Sequence, residues 1–323
     1  VSSSSIKAAP ATARQRNISR IVLDAGPVVA WFAVIASLLT QVTATSTDIG
    51  PIPAVLALIA LAFGIPHGAA DNLTLVHTLS WRGWIRMGVG YLTIAALAAA
   101  VIIILPAFGF ILVLGMTVWH FGAGDVEART ELSRQAPVNR KFRILYALAL
   151  GSAPVLLPLT SPAALSTVTS LEPQLAQIYA GPATTLIRGI VAVLLIVTIL
   201  VLINRSDLRG AFELFTLGVL GFVVSPFIAF AVYFSFWHAA RHTARLAQVS
   251  TGAVTIRSMA AVTRIGIPSL IGFIAILVIL TVFMGNDALT GTVLWIGLAI
   301  VWGLTVPHMW FVSRFDRRNR TRS

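Results

Sequence analysis

Trp237-His238-Ala239-Ala240-Arg241-His242 closes an apolar run that begins at Ala211 and is broken at Ser225-Pro226. The reading of this run decides the fold. As one helix, residues 211–246 would carry Arg241, Arg245, Arg257 and Arg264 to the membrane face opposite the other basic loops. As a hairpin turning at Ser225-Pro226, the run keeps them with the rest, as the positive-inside rule requires. A hairpin is therefore expected, with His238 and His242 toward the inner end of its second arm. Two histidines four residues apart on a helix share one face. That spacing offers two imidazoles to one metal ion, although alone it is a weak signal.

The run sits in a chain of 323 residues that is 57% hydrophobic and 11% charged, a composition outside the soluble range. Ten apolar segments are expected: residues 21–42, 51–79, 87–106, 108–121, 142–159, 183–204, 211–225, 226–246, 265–284 and 290–312. With both termini cytoplasmic and the segments alternating, every Lys and Arg except Arg188 falls on the inside. The expected architecture is an all-α, polytopic integral membrane bundle with some helices broken at proline. Residues 1–20 read as a flexible cytoplasmic tail, 21–313 as a single transmembrane catalytic domain, and 314–323 as a basic cytoplasmic tail. The first segment reads as a membrane helix and not a signal peptide. Residues 160–182, the longest outer loop, read as a connection, with an interfacial lid as the alternative.

The formal charge of +12 belongs to loops and tails between apolar segments, so a cytoplasmic membrane-surface role explains it and nucleic acid does not. Cysteine is absent, which excludes disulfides, thiolate metal sites and cysteine nucleophiles. Any metal chemistry must use imidazole and carboxylate, which suits iron, copper, zinc or manganese.

Five of the six histidines fall at one level. In the ten-segment topology the even-numbered helices all descend inward. His67, His120, His238, His242 and His308 then lie roughly 18–27 Å from the outer helix starts, at ~1.5 Å per residue. His77 lies lower, where an ordinary buried or interfacial histidine is the better reading. Ionisable groups at membrane depth are costly and face the bundle interior, so they are candidate functional residues.

The flanks fit a metal site. Gly64-Ile65-Pro66-His67-Gly68-Ala69-Ala70-Asp71 breaks a helix within the bilayer, which is tolerated where backbone lines a cavity. Asp71, four residues after His67, and Asp125, in Trp119-His120-Phe121-Gly122-Ala123-Gly124-Asp125, are candidates to support an imidazole from behind. Helix capping or pairing with inner arginines is the competing role for both. Pro307-His308 echoes Pro66-His67. Four neutral imidazoles would leave a divalent ion its full charge and open positions for dioxygen. Nearby aromatics, among them Tyr233, Phe234, Trp237 and Trp119, would line a slot for a flat lipid-soluble substrate or form the interfacial belt.

These four motifs, with Pro307-His308-Met309 as the last, resemble the signature of the Brp/Blh family of bacterial and archaeal membrane β-carotene 15,15′-dioxygenases. They occur in the family's order over most of the chain. The resemblance implies cleavage of the central double bond of β-carotene by O2 to give two retinal molecules. It implies Fe(2+) as cofactor, with His67, His120, His238 and His242 as the metal-binding and catalytic residues. His308 matches a family histidine whose place, behind the ligands or beside the substrate, the resemblance leaves open. A multi-pass protein of the cell membrane, with the lipid bilayer as its setting and a functional link to a rhodopsin, is the corresponding expectation. The alternatives are cleavage of another carotenoid or apocarotenoid, a membrane haem protein, a di-iron desaturase and a transporter using the same histidines. A single-helix His pair cannot supply both axial ligands of one haem. The desaturase needs more histidines, and the transporter lacks the expected inverted repeat.

Overall fold

The computed structural model describes residues 13–43, 64–70, 80–133, 138–179, 182–284 and 291–320, and among them no strand occurs. The long helices are α1 (Ala13–Thr43), α3 (Trp81–Ile104), α4 (Pro106–Ser133), α5 (Arg140–Leu159), α8 (Ala183–Asn204), α9 (Leu208–Val223), α12 (Ile256–Met284) and α13 (Gly291–Arg320). A short helix, α2, covers residues 64–69. Between α9 and α12 runs one continuous helical arm. It consists of α10 (Pro226–Val232), a π-helical turn (Tyr233–Ala239) and α11 (Ala240–Thr251).

Seven of these helices, α1, α3, α4, α5, α8, α12 and α13, are long and apolar enough to cross a membrane. The chain is thus a multi-pass helical protein, with fewer such helices than the ten segments expected. Residues 51–63 lie outside the described residues. α9 has only 16 residues. The α10–α11 arm falls short in hydropathy because α11 carries Arg241 and Arg245, both buried. Charges at this depth survive only when paired.

Ser225-Pro226 does turn the chain. Val224 and Ser225 interrupt the helix, and beyond them the arm folds back along α9, so that Arg241 meets Glu213 at 3.4 Å. α1 holds both arms. The Trp31 indole N–H donates to Thr216 Oγ1 on α9 at 3.2 Å, and the Leu23 carbonyl accepts from Arg241 at 3.1 Å. α1 begins at Ala13, upstream of the start expected at Ile21, because Arg14, Arg16 and Arg20 extend the helix beyond its apolar part.

α4 is twice the expected length because it does not stop at Phe121. It continues through Asp125, Glu127, Arg129 and Glu131, and partners on other helices make that burial tolerable. Arg129 forks onto Asp207 at 2.5 and 2.6 Å, Arg143 reaches Glu127 at 3.1 Å, and Arg245 reaches Glu131 at 2.9 Å and Asp316 at 2.6 Å.

In lipid the hydrophobic effect does not drive helices together, so close backbone packing has to. α4 and α5 show it. A Cβ built on Gly122 would stand 1.7 Å from the Ala147 carbonyl, and one on Gly151 would stand 1.8 Å from the Val118 carbonyl. The two glycines let the backbones touch reciprocally. The segment between α5 and α8 forms α6 (Pro162–Leu171), a 3-10 turn (Pro173–Leu175) and α7 (Ala176–Tyr179). Its Val168 and Leu175 are buried against Phe110 and Trp295 of α4 and α13.

Replacing Gly151 by Leu should force α4 and α5 apart. The expected loss is about 1–3 kcal/mol or more of stability, read as a lower melting temperature and poor monodispersity in detergent. Asp207 lies between α8 and α9. Burial raises its carboxyl, but the Arg129 hydrogen bonds and the Gly210 N–H outweigh it and hold the group below its ordinary range. A depressed folded-state pKa gives stability that is present above the unfolded value of about 3.9 and is lost as pH falls through the folded one. Asp207→Asn should lower the melting temperature at neutral pH and flatten its fall below about pH 4.

Candidate metal centre

The hexapeptide Trp237 to His242 works through its two faces. Trp237 and Arg241, four apart, point away from the bundle axis. Trp237 is fully buried against α1 at Gly26, and the Arg241 guanidinium stacks on its ring at 4.4 Å. His238 and His242, shifted by one residue, point inward. The outward pair therefore docks the arm, and docking aims the imidazoles.

Inside, five imidazole rings gather from four parts of the chain: His67 on α2, His120 on α4, His238 and His242 on the arm, and His308 on α13. Ring centroids stand 5.2 Å apart for His120 and His238, 5.6 Å for His67 and His238, and 5.5 Å for His67 and His242. His308 lies 5.3 Å from His67, 4.9 Å from His120 and 5.8 Å from His242. The i/i+4 pair His238 and His242 stands 6.5 Å apart with parallel rings. All five are only 2–6% exposed, so bulk water does not solvate them.

These spacings suit a shared ion. Imidazoles bound at ~2.0–2.1 Å place their centroids about 3.2 Å from the metal, hence about 4.5 Å apart at right angles and about 6.4 Å apart across it. Among the described residues no group of three or more donors already meets at metal-holding distance. Donor chemistry agrees. His67 Nδ1–H donates to the Gly64 carbonyl, which leaves Nε2 as the free lone pair. His120 Nε2 and His238 Nε2 are buried without a hydrogen-bond partner. Orphaned buried polar atoms call for an explanation, and an ion is one.

Behind His238 sits Asp125. Its Oδ1 is 3.5 Å from His238 Nδ1, and its Oδ2 accepts from the Tyr233 hydroxyl at 2.8 Å. Tyr233 and His238 are five residues apart and span the π-helical turn, whose wider repeat brings both to one carboxylate. A carboxylate behind an imidazole fixes its tautomer and strengthens it as a donor. Gly124 makes room, because a Cβ there would stand 3.2 Å from His238 Cε1. The aromatic belt was the main role open to Tyr233 in the sequence; only the π-turn shows its link to Asp125. Asp71 and His77 lie outside the described residues.

His67, His120 and His308 form part of the wall of a cavity of about 520 Å³. Phe227, Phe230 and Phe234 of the arm, Tyr91 of α3, and Leu298 and Trp302 of α13 contribute much of the rest. Among the described residues no Asp, Glu, Lys or Arg lines it. Val168 and Leu171 of α6 also line it, so this segment forms part of the cavity wall as well as connecting α5 to α8. Such a volume is typical of small-molecule sites, and the lining suits an uncharged apolar molecule placed against the imidazoles.

The family profile described as beta-carotene 15,15′-dioxygenase matches residues 58–316. A probable beta-carotene 15,15′-dioxygenase Blh from Halobacterium salinarum is 29% identical, over 95% of this chain and 96% of its own length. A beta-carotene 15,15′-dioxygenase from uncultured marine bacterium 66A03 is 30% identical, over 83% of this chain and 94% of its own. No solved structure matches.

Asp125→Asn should weaken divalent-ion binding by about 10–100-fold, the usual effect of losing a carboxylate behind a ligating histidine. Tyr233→Phe should weaken it less, because the carboxylate stays charged. Titration of metal-free protein with ferrous or cobaltous ion, followed by bound-metal analysis, measures both.

Proposed function

This chain belongs to the membrane β-carotene 15,15′-dioxygenase family, and from that premise we propose that it cleaves the central 15,15′ double bond of β-carotene with O2 to give two molecules of retinal. The observation that carries the reading is the group of buried imidazoles, three of them on the wall of a predominantly apolar cavity. We assign His67, His120, His238 and His242 as ligands of Fe(2+), with Asp125 supporting His238. Bound iron would supply the binding and activation of dioxygen.

The remaining work falls to the chain. Neutral imidazoles add no negative charge, so the ion keeps its full charge toward oxygen. The hydrogen bond from His67 Nδ1 to Gly64 and the placement of Asp125 beside His238 Nδ1 leave Nε2 of each ring for the metal. The apolar wall excludes water from the space beside the imidazoles. The phenyl rings of Phe227, Phe230 and Phe234 and the indole of Trp302 suit a flat polyene, and holding it still selects one double bond from a conjugated series. Substrate and product are both lipid-soluble, so entry and exit from the bilayer between helices fit the lining.

The same reading includes ten membrane segments with both termini cytoplasmic, residence in the cell membrane, and delivery of retinal to a rhodopsin-like acceptor. The positive-inside distribution of Lys and Arg supports the topology.

The test is expression in cells that accumulate β-carotene, with extraction and chromatography. Wild type should convert the pigment to retinal, while His238→Ala and an iron-starved culture should fall to background. Intact β-carotene beside folded, iron-loaded wild type would sink the central-cleavage reading in favour of another carotenoid or another reaction.

A further inference from the structure

The His308 ring stands beside three of the four histidines assigned above, His67, His120 and His242. We propose that His308 is a fifth imidazole ligand of the same ion, an inference that rests on the metal-centre reading. Its ring lies 4.9 Å from that of His120, 5.3 Å from His67 and 5.8 Å from His242, all inside the span expected for ligands of one ion. The assigned pair His238 and His242 is wider, at 6.5 Å. A criterion that admits those two by distance admits His308 first.

The surroundings hold it there. A Cβ on Gly68 would stand 3.3 Å from His308 Nδ1, so the glycine next to His67 lets the His308 ring lie against the α2 backbone. α13 is pinned on both sides of the ring. One turn before it, the Leu304 carbonyl accepts from the Tyr91 hydroxyl at 2.9 Å. Two turns after it, Asp316 pairs with Arg245 at 2.6 Å, one turn beyond His242 on the arm. α13 and the arm therefore share a register at two levels, and that register brings His308 to the ion's position. A side chain kept only to fill space would need neither anchor nor a nitrogen.

A fifth imidazole changes what the centre can do. Four leave two positions on a six-coordinate ion, and five leave one. An ion held by these imidazoles would sit at the wall of the cavity that His67, His120 and His308 line, and a fifth imidazole would leave less room on it for dioxygen or water.

The experiment uses the full chain in detergent micelles, stripped of metal and reloaded. Fe(2+) is used for X-ray absorption, which counts imidazole scatterers, and Co(2+) for its visible bands, which strengthen as coordination number falls. Wild type should show five imidazoles and weak cobalt bands. His308→Asn should show four, with stronger bands and a cobalt dissociation constant at least ~10-fold higher. His308→Gly should regain the wild-type spectrum when free imidazole is added. A wild-type count of four overturns the proposal whether or not the variants fold. So do variants that bind one cobalt with an unchanged spectrum, which leave the metal-centre reading standing. Wild type that binds neither ion overturns that reading and this proposal together.

Discussion

A polar group withdrawn from water into an apolar helical bundle needs a partner, and this requirement organises the inner half of the molecule. The guanidinium groups of Arg129, Arg241 and Arg245 are almost fully buried, and each finds a carboxylate on another helix. Arg129 joins α4 to Asp207 at the foot of α9. Arg241 joins the arm to Glu213 on α9. Arg245 joins the arm to Glu131 on α4 and Asp316 on α13. Taking such charges out of water costs several kcal/mol per ion, so an arrangement that left one unpaired would not persist. The pairs therefore act as register marks.

Registering the helices at this charged level also registers them above it. On α4, the arm and α13, the histidines precede the charges in sequence. Arg245 meets Glu131 and Asp316 at one level, and His238 meets His120 while His242 meets His308 at the other. Contacts at two levels make the three helices run parallel. An ion-paired floor, a ring of imidazoles and an apolar cavity follow one another along their common direction. Among the described residues the carboxylate beside the imidazoles is Asp125, which accepts from Tyr233 and faces the His238 ring. Such a layout keeps the buried ion pairs apart from the cavity and leaves the rings of His67, His120 and His308 on its wall.

Glycine does two separate jobs in one motif. In His120-Phe121-Gly122-Ala123-Gly124-Asp125, Gly122 faces α5 and permits backbone contact, while Gly124 faces His238 and permits the imidazole to approach. From the sequence the two look alike, as small residues between a histidine and an acid. Their opposite faces on the helix give one a structural duty and the other a place beneath the candidate metal centre.

The sequence by itself determined the class of the protein, the hairpin at Ser225-Pro226, and the common level of the histidines. Each of these rests on a periodic or one-dimensional quantity: runs of apolar residues, the sidedness of Lys and Arg, and a fixed rise per residue. It also held the family motifs, because motif order needs no third dimension. The tertiary structure decided what depends on azimuth and on contacts between distant segments. It extended α4 through its charges, because Arg143, Asp207 and Arg245 lie far off in sequence and only folding supplies them. It gave Tyr233 a partner, because an α-helical wheel does not foresee the wider repeat of a π-turn. It set His308 among the other rings, because depth along a helix says nothing of which way a side chain faces, and packing against Gly68 and the ion pair at Asp316 does.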